Sequence, residues 1–234
     1  HLQADALAQY ESLFGETKAT HVCCVSHARR KFVAAADGGD ARANAAVELF
    51  GRLYAVERTL PPLLPPSDDP AERNARAARE AERKRLRRRD ADPILEALKA
   101  WLDAMRPGAL PKSALGIAIG YALNNWAALT RYRDEGHLAI DNNLAERTLR
   151  AVALGRNNWG VFGSESGGRT AATLYSVVGT CKHLGIDPFA YLKDALPGLF
   201  ALGEQPTAEQ VLDWLPDRWR LRTRASTSRP ASAA

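Results

Sequence analysis

Apolar residues recur through the middle of this chain at the three- and four-residue spacing of a single helix face. The spacing predicts a run of amphipathic helices between residues 40 and 135. Their apolar stripes are Leu49, Leu53, Val56 and Leu60, then Leu95, Leu98, Leu102 and Met105, then Leu115, Ile119, Ala122 and Trp126. We therefore expect residues 40–135 to be all-helical, without chemistry of their own.

The beginning of the chain follows a different pattern. Thr20 to Val25 is β-branched and cysteine-rich, which predicts a short buried strand. Ser26 is suited to cap a helix that runs through Phe32, and Gly38-Gly39 would end that helix. Residues 1–39 therefore indicate part of an α/β layer rather than a complete domain.

Helical spacing returns after residue 140. Leu144 to Leu154 predicts a helix with Ala145, Leu149 and Val152 on its apolar face and Gly155 as its end.

A second apolar stripe follows at Leu174, Val177 and Cys181, which predicts that Cys181 is a core thiol. From Arg218 onward, five arginines stand among Ser, Thr, Pro and Ala, which predicts a disordered basic tail.

Composition and charge add few restrictions. Hydrophobic residues make up 46% of the chain and charged residues 25%, which is ordinary for a globular protein. The net charge of +5 permits nucleic-acid binding without requiring it. Three cysteines do not make a disulfide framework, so we expect a reducing, cytoplasmic compartment. No apolar run approaches the roughly 20 residues that cross a bilayer, so no membrane partner is expected.

Residues 71–90 hold nine Arg and Lys side chains against four Asp and Glu. This stretch fits a solvated helix with ion pairs between residues four apart. It also fits a face that contacts phosphates, because the charge is so lopsided. Both interpretations stay open at the level of sequence.

A polar cluster, Asp141-Asn142-Asn143, precedes Glu146 at the start of the next helix. Asn143-x-x-Glu146 fits a capping box, and Glu146 is also spaced for an ion pair with Arg150. A carboxylate followed by arginines can instead serve a metal ion that acts on a phosphodiester. Spacing alone favours the capped helix.

Three motifs, in this order, carry a resemblance to a known family. They are Cys24-x-x-His27-Ala28-Arg29-Arg30-Lys31-Phe32, Ile140-Asp141-Asn142-Asn143-x-x-Glu146-Arg147 and Leu154-Gly155-Arg156-x-Asn158-Trp159. With them, the chain resembles the C-terminal part of a bacterial transposase of the insertion-sequence-66 class, from about Leu2 to Trp219.

The resemblance implies a DDE transposase, which cuts and joins DNA with Mg²⁺ or Mn²⁺ held by three acidic side chains. Asp5 matches the second acid and Glu146 the third, so both are expected to be catalytic metal ligands. The implied fold class is α+β and mostly helical. It comprises a partial RNase H-like core at 1–39 and 136–180, a large all-helical insertion at 40–135, a helical C-terminal segment at 181–217 and the disordered tail at 218–234.

The resemblance further implies that DNA is the partner, within a homo-oligomeric complex associated with the bacterial nucleoid. The implied DNA contacts are Arg147, Arg150, Arg156, Asn158 and Trp159. The residues expected to support the active site are Cys24, His27, Asn142 and Asn143. A zinc site at Cys24 and His27, with His21 and Cys23 nearby, is the weaker interpretation because no second ligand pair follows at a defined spacing.

The chain departs from the family pattern in a few positions. Ala6 stands where the family has a glycine after the second acid, and Asn157 stands where a basic residue is usual. The first catalytic aspartate is expected upstream of His1, so we expect the chain alone to have little or no strand-transfer activity. The alternatives are a DNA-binding helical module without chemistry and an inactive transposase remnant.

Overall fold

The structure, a computed structural model, describes residues 1–5, 12–14, 18–67 and 69–227, with side chains up to residue 221. The chain divides into two compact units, His1–Leu144 and Ala145–Ala234. Helices dominate the described residues, which confirms the mostly helical α+β class. The amphipathic segment expected just after Asp5 lies outside the described residues. Across the described ranges, no helix is long and apolar enough to cross a membrane.

A two-stranded parallel sheet opens the first unit. Strand β1 is Leu2–Ala4 and strand β2 is His21–Cys23, with Leu2 opposite His21 and Ala4 opposite Cys23. The strand predicted over residues 20–25 is therefore present, with shorter bounds. Because the strands are parallel, their carboxyl ends lie at one edge of the sheet, where the next residues are Asp5 and Cys24.

Six α-helices complete the first unit among the described residues. They are α1 (Val25–Asp37), α2 (Ala43–Thr59), α3 (Pro70–Asp90), α4 (Asp92–Met105), α5 (Ala114–Asn124) and α6 (Trp126–Thr130). The predicted stripes bury Leu53, Leu98 and Ile119 in one continuous core. Ser26 is not the cap of α1, because the helix already begins at Val25 and Cys24 occupies the cap position without a side-chain hydrogen bond.

Arg87 of α3 is fully buried and ties three parts of the first unit together. Its guanidinium donates to both carboxylate oxygens of Glu57 on α2, at 2.7 and 2.8 Å. It also donates to the carbonyls of Tyr132 at 2.6 Å, Glu135 at 3.0 Å and Leu138 at 2.8 Å. Since a guanidinium has five N–H donors, every donor of Arg87 has an acceptor.

Arg83, one turn earlier on α3, reinforces the same contact. It donates to the carbonyl of Gly136 at 2.9 Å and to that of Pro61 at 2.8 Å. A Cβ at Gly136 would lie 1.9 Å from the carbonyl oxygen of Glu80, so only glycine permits this approach. The segment 131–140 is therefore held against α3 by hydrogen bonds to its backbone.

The remaining surface of α3 is laced with ion pairs. Among the described residues, the exposed or half-buried arginines form the pairs Arg76–Glu80, Arg85–Glu82, Arg88–Asp92, Arg88–Asp134 and Arg89–Asp90. Together with buried Arg83 and Arg87, these pairs engage six of the nine basic residues between 71 and 90. The arrangement agrees with the ion-paired helix more closely than with a phosphate-contacting face.

The second unit consists of helices. Helix α7 (Asn143–Trp159) begins at its border, followed by α8 (Glu165–Leu184), α9 (Pro188–Ala201), α10 (Ala208–Leu212) and α11 (Pro216–Thr227). A small core forms around Cys181, Ile186, Tyr191 and Ala195. The prediction that Cys181 is a core thiol is confirmed, because this side chain is fully buried.

Several sequence expectations for this unit are wrong. Helix α7 continues through Gly155 to Trp159, and Leu149 on the expected apolar face is 65% exposed. Gly155 serves instead as a point of close packing, since a Cβ there would lie 2.4 Å from the hydroxyl oxygen of Tyr175. Leu174 is exposed rather than buried.

The expected disordered tail also differs from the structure. Its first part, through residue 227, belongs to α11, and residues 228–234 lie outside the described ranges.

Replacing Arg87 by methionine should destabilise the first unit strongly. The change removes both close hydrogen bonds to the Glu57 carboxylate, leaving Arg83 at 3.5 Å, and it removes the donors to three carbonyls, so we expect a loss of about 3–5 kcal/mol. Arg85→Met is the matched control, because Arg85 pairs with Glu82 on the exposed face of the same helix. That variant should change stability by less than about 1 kcal/mol. Urea denaturation followed by circular dichroism measures both, and equal losses would contradict the assigned role of Arg87.

Candidate functional site

The candidate site lies at the carboxyl edge of the two strands. Asp5 follows β1 and is half-buried, and Cys24 follows β2 and is fully buried. The amide of Cys24 donates to the carbonyl of Ala4 at 3.2 Å, which closes the edge of the sheet. The amide of Val25 donates to the carbonyl of Ile140, also at 3.2 Å, which brings the polar cluster 141–143 to the same edge.

Asp141 is the most highly hydrogen-bonded carboxylate at this edge. The Tyr54 hydroxyl of α2 donates to its Oδ2 at 2.8 Å. The backbone N–H of Asn143 donates to Oδ1 at 3.1 Å, and the side-chain amide of Asn143 donates to Oδ2 at 2.9 Å. Asp141 therefore fixes the first residue of α7, three positions before Glu146.

Tyr54 acts as a donor because it stays neutral. Burial raises the pKa of its hydroxyl far above the ordinary range, and the hydrogen bond to Asp141 raises the pKa further. A neutral phenol beside a carboxylate is the combination that gives a strong, short hydrogen bond.

The remaining side chains at the edge have distinct environments. Burial raises the pKa of the Cys24 thiol, so the neutral thiol is favoured. His27, on the first turns of α1, has its Nε2 3.3 Å from Nη2 of Arg30. The side-chain oxygen of Asn142 is buried and has no hydrogen-bond partner among the described residues. Asn142 thus presents an amide oxygen that protein groups do not use.

The structure brings some of the expected site residues together in the first unit. Asp5, Cys24, His27 and the cluster 141–143 all belong to it. Within the described ranges, no three His, Cys, Asp or Glu side chains are grouped closely enough to hold a metal ion. Glu146 lies on the first turn of α7 and belongs to the second unit.

The expected DNA contacts all lie on α7 in the second unit. Arg147, Arg150, Arg156 and Asn158 are exposed, and Trp159 is half-buried. None of the three arginines forms an ion pair with another described residue. Helix α7 packs against α8 through Thr148, whose hydroxyl lies 2.8 Å from Nε2 of His183.

The comparison with protein families assigns the chain to a class. Residues 1–170 match the family described as Transposase IS66 family. The match covers more than half of the chain and includes all three motifs of the resemblance, so the chain belongs to this family of transposases.

The curated relatives come from one organism, Sinorhizobium fredii (strain NBRC 101917 / NGR234). The chain is 30% identical over 226 residues to the uncharacterized protein y4jD, covering 94% of this chain and 41% of that protein. It is 31% identical over 236 residues to the uncharacterized protein y4hP, covering 94% of this chain and 39% of that protein. The chain thus spans about two fifths of the length of these relatives. No solved structure gives a significant match.

Two site residues escaped sequence reasoning. Tyr54 is separated from Asp141 by 87 positions and stands in a helix that looked purely structural. Arg87 looked like one basic residue among many in a charged helix. The available signal was Asp141 itself, because an aspartate two residues before a helix start commonly accepts a backbone N–H there.

Replacing Tyr54 by phenylalanine should destabilise the start of α7. The change removes one hydrogen bond to a carboxylate while keeping the ring, so we expect a loss of about 1–2 kcal/mol. Tyr132→Phe is the control, since the Tyr132 hydroxyl is buried without a hydrogen-bond partner in the described part of the chain. That variant should be neutral or stabilising. Urea denaturation gives the free energy of unfolding of both variants. An equal change in the two variants would argue against the Tyr54–Asp141 hydrogen bond.

Proposed function

We propose that this chain is the C-terminal part of a DDE transposase catalytic region, which cuts and joins DNA with Mg²⁺ or Mn²⁺. Membership of the IS66 transposase family is the observation that carries the proposal. The strand edge adds support, because Asp5 follows a parallel strand and the bond from Val25 to Ile140 brings the polar cluster 141–143 to the same edge of the sheet. The proposed core is RNase H-like, interrupted by the helices of residues 40–135.

The donor set at the edge suits a hard divalent cation. Asp5 supplies a half-buried carboxylate, and Asn142 offers a buried amide oxygen without a protein partner. Magnesium prefers oxygen ligands and keeps part of its shell for water and phosphate. The Cys24 thiol, held neutral by burial, is suited to packing rather than to metal ligation. Asp5 and Glu146 are the proposed metal ligands, with the first acid upstream of His1.

Each group then has a distinct task. The metal, when bound, activates the attacking oxygen and stabilises the leaving oxygen of the phosphodiester. Asp5 and Glu146 would hold the cation, while Asn142 and Asn143 would shape the edge beside it. Cys24 and His27, at the start of α1, would support the edge. Asp141, held by Tyr54, fixes the start of the helix that carries Glu146.

The exposed side chains of α7 are proposed to contact DNA. Arg147, Arg150 and Arg156 provide cations for phosphates, and Asn158 and Trp159 stand in the last turn of the helix. We propose that the whole protein works as a homo-oligomer on bacterial DNA at the nucleoid.

A DNA-binding module without chemistry is the second candidate. The exposed arginines of α7, which form no ion pair within the described ranges, favour it, since they would serve DNA binding whether or not a metal is held. The two candidates differ in their dependence on Glu146.

Glu146→Gln in the longer protein should abolish cleavage without unfolding it. Glutamine keeps the shape and can still cap the helix, but it removes the charge that the cation requires, so we expect about a hundredfold loss or more. Glu165→Gln is the matched control, because Glu165 is also in the first turn of a helix and is highly exposed. Cleavage of labelled DNA with Mg²⁺ is measured together with the melting temperature. Equal activity of both variants would favour the module without chemistry.

A further inference from the structure

The loop between α7 and α8 exposes two apolar side chains at the tip of a helical hairpin. The loop runs from Gly160 to Ser164, and Gly160 takes a φ of +65°, which turns the chain sharply after the helix. Val161 is 82% exposed and Phe162 is 44% exposed. Full burial of a side chain of this size is worth about 1.5–3 kcal/mol, so covering these two side chains would favour binding of a partner.

Phe162 has a fixed orientation at this tip. Its ring stacks on that of Trp159 with the centroids 4.3 Å apart and the planes 25° from parallel. Trp159 is in turn anchored, because its Nε1 donates to the Tyr175 hydroxyl at 3.3 Å. A Cβ at Gly168 would lie 3.6 Å from the Phe162 ring, so the ring lies beside the first turn of α8. The tip is therefore a supported aromatic platform, with Trp159 as its base and Phe162 as its exposed part.

The surroundings of the platform are polar and basic. Arg156, Asn157 and Asn158 are exposed in the last turn of α7. The nearest carboxylate along the chain, that of Glu165, is neutralised by an ion pair with Arg169. The acid closest in sequence to the tip is therefore compensated, which favours the approach of a negatively charged backbone.

We propose that Val161 and Phe162 form a stacking surface for an unpaired or unstacked DNA base, with Arg156 on an adjacent phosphate. Stacking on aromatic side chains and insertion of apolar side chains at base steps are both established modes of nucleic-acid recognition. The inference rests on the proposed DNA contact of this chain. It adds that the contact requires an unpaired or unstacked base.

A protein pocket is the less suitable occupant of this tip. A pocket deep enough to cover Val161 and Phe162 would also bury Arg156 and its neighbouring asparagines, whose polar groups would then need matched partners. DNA suits both the apolar and the basic side chains of the tip, because each nucleotide carries a base for Phe162 and Val161 and a phosphate for Arg156.

Binding of the chain to DNA with and without unpaired bases tests the proposal. The probes are a fluorescent single-stranded oligonucleotide, a gapped duplex and an intact duplex, each measured by fluorescence anisotropy. Phe162→Ala should weaken binding to the first two probes by about five- to a hundredfold, in line with the energy of one stacked base. Val161→Ser should weaken it in the same direction, and it removes no packing contact of the platform. Phe162→Tyr should retain binding, because it keeps the ring.

Matched controls separate stacking from charge and from folding. Phe200→Ala removes another exposed phenylalanine of the same unit, 89% exposed, and should leave binding unchanged. Arg156→Gln should reduce the salt dependence of binding by about one ion, whereas Phe162→Ala should not. Far-UV circular dichroism checks that the helices persist.

The outcomes separate the proposed DNA binding of the chain from the proposed stacking of a base on Val161 and Phe162. If the chain binds DNA and the Phe162 and Val161 variants bind as tightly as the unmodified chain, the stacking surface is refuted and the DNA contact stands. If the chain binds none of the probes, the proposed DNA contact fails with it. Equal weakening by Phe200→Ala would also refute the assignment to this tip.

Discussion

The buried pair of Arg87 and Glu57 is the interaction on which the first unit depends. Removing an arginine and a glutamate from water is costly, and such a pair is tolerated only where further hydrogen bonds satisfy the remaining groups. Arg87 meets that condition, because its other donors bind the carbonyls of Tyr132, Glu135 and Leu138. The pair therefore helps to fix the conformation of residues 134–140, which follow the short 3-10 helix Arg131–Arg133 and form no helix or strand of their own.

The consequence of this constraint reaches the candidate site. The segment that Arg87 holds leads directly to Ile140, whose carbonyl binds the first amide of α1, and then to Asp141. Tyr54 of α2 binds Asp141 from the same helix that supplies Glu57. The helices of residues 40–135 thus do more than form the core of the first unit. They hold the chain where it approaches the strand edge.

Sequence reasoning succeeded where the signal was local. Helix stripes such as Leu95–Leu102 and the strand before Cys24 both follow from the spacing and type of neighbouring residues. It failed where the burial or role of a residue depends on side chains far away in the sequence. Leu149 looked buried because periodicity cannot show whether a neighbour covers a helix face, and Gly155 looked like a helix end although a tyrosine hydroxyl packs against it. The roles of Arg87 and Tyr54 depend on residues far along the chain. The family motifs supplied the site residues that spacing alone assigned to a capped helix.

Amide hydrogen exchange tests the central claim, that α3 fixes the approach to the strand edge. In the unmodified chain, the amides of Val25 and Asn143 should be protected, since they bind the Ile140 carbonyl and the Asp141 carboxylate. In Arg87→Met, both amides should exchange faster than in the unmodified chain, while the amides of α5 keep their protection. Unchanged protection of Val25 and Asn143 in that variant would contradict the account.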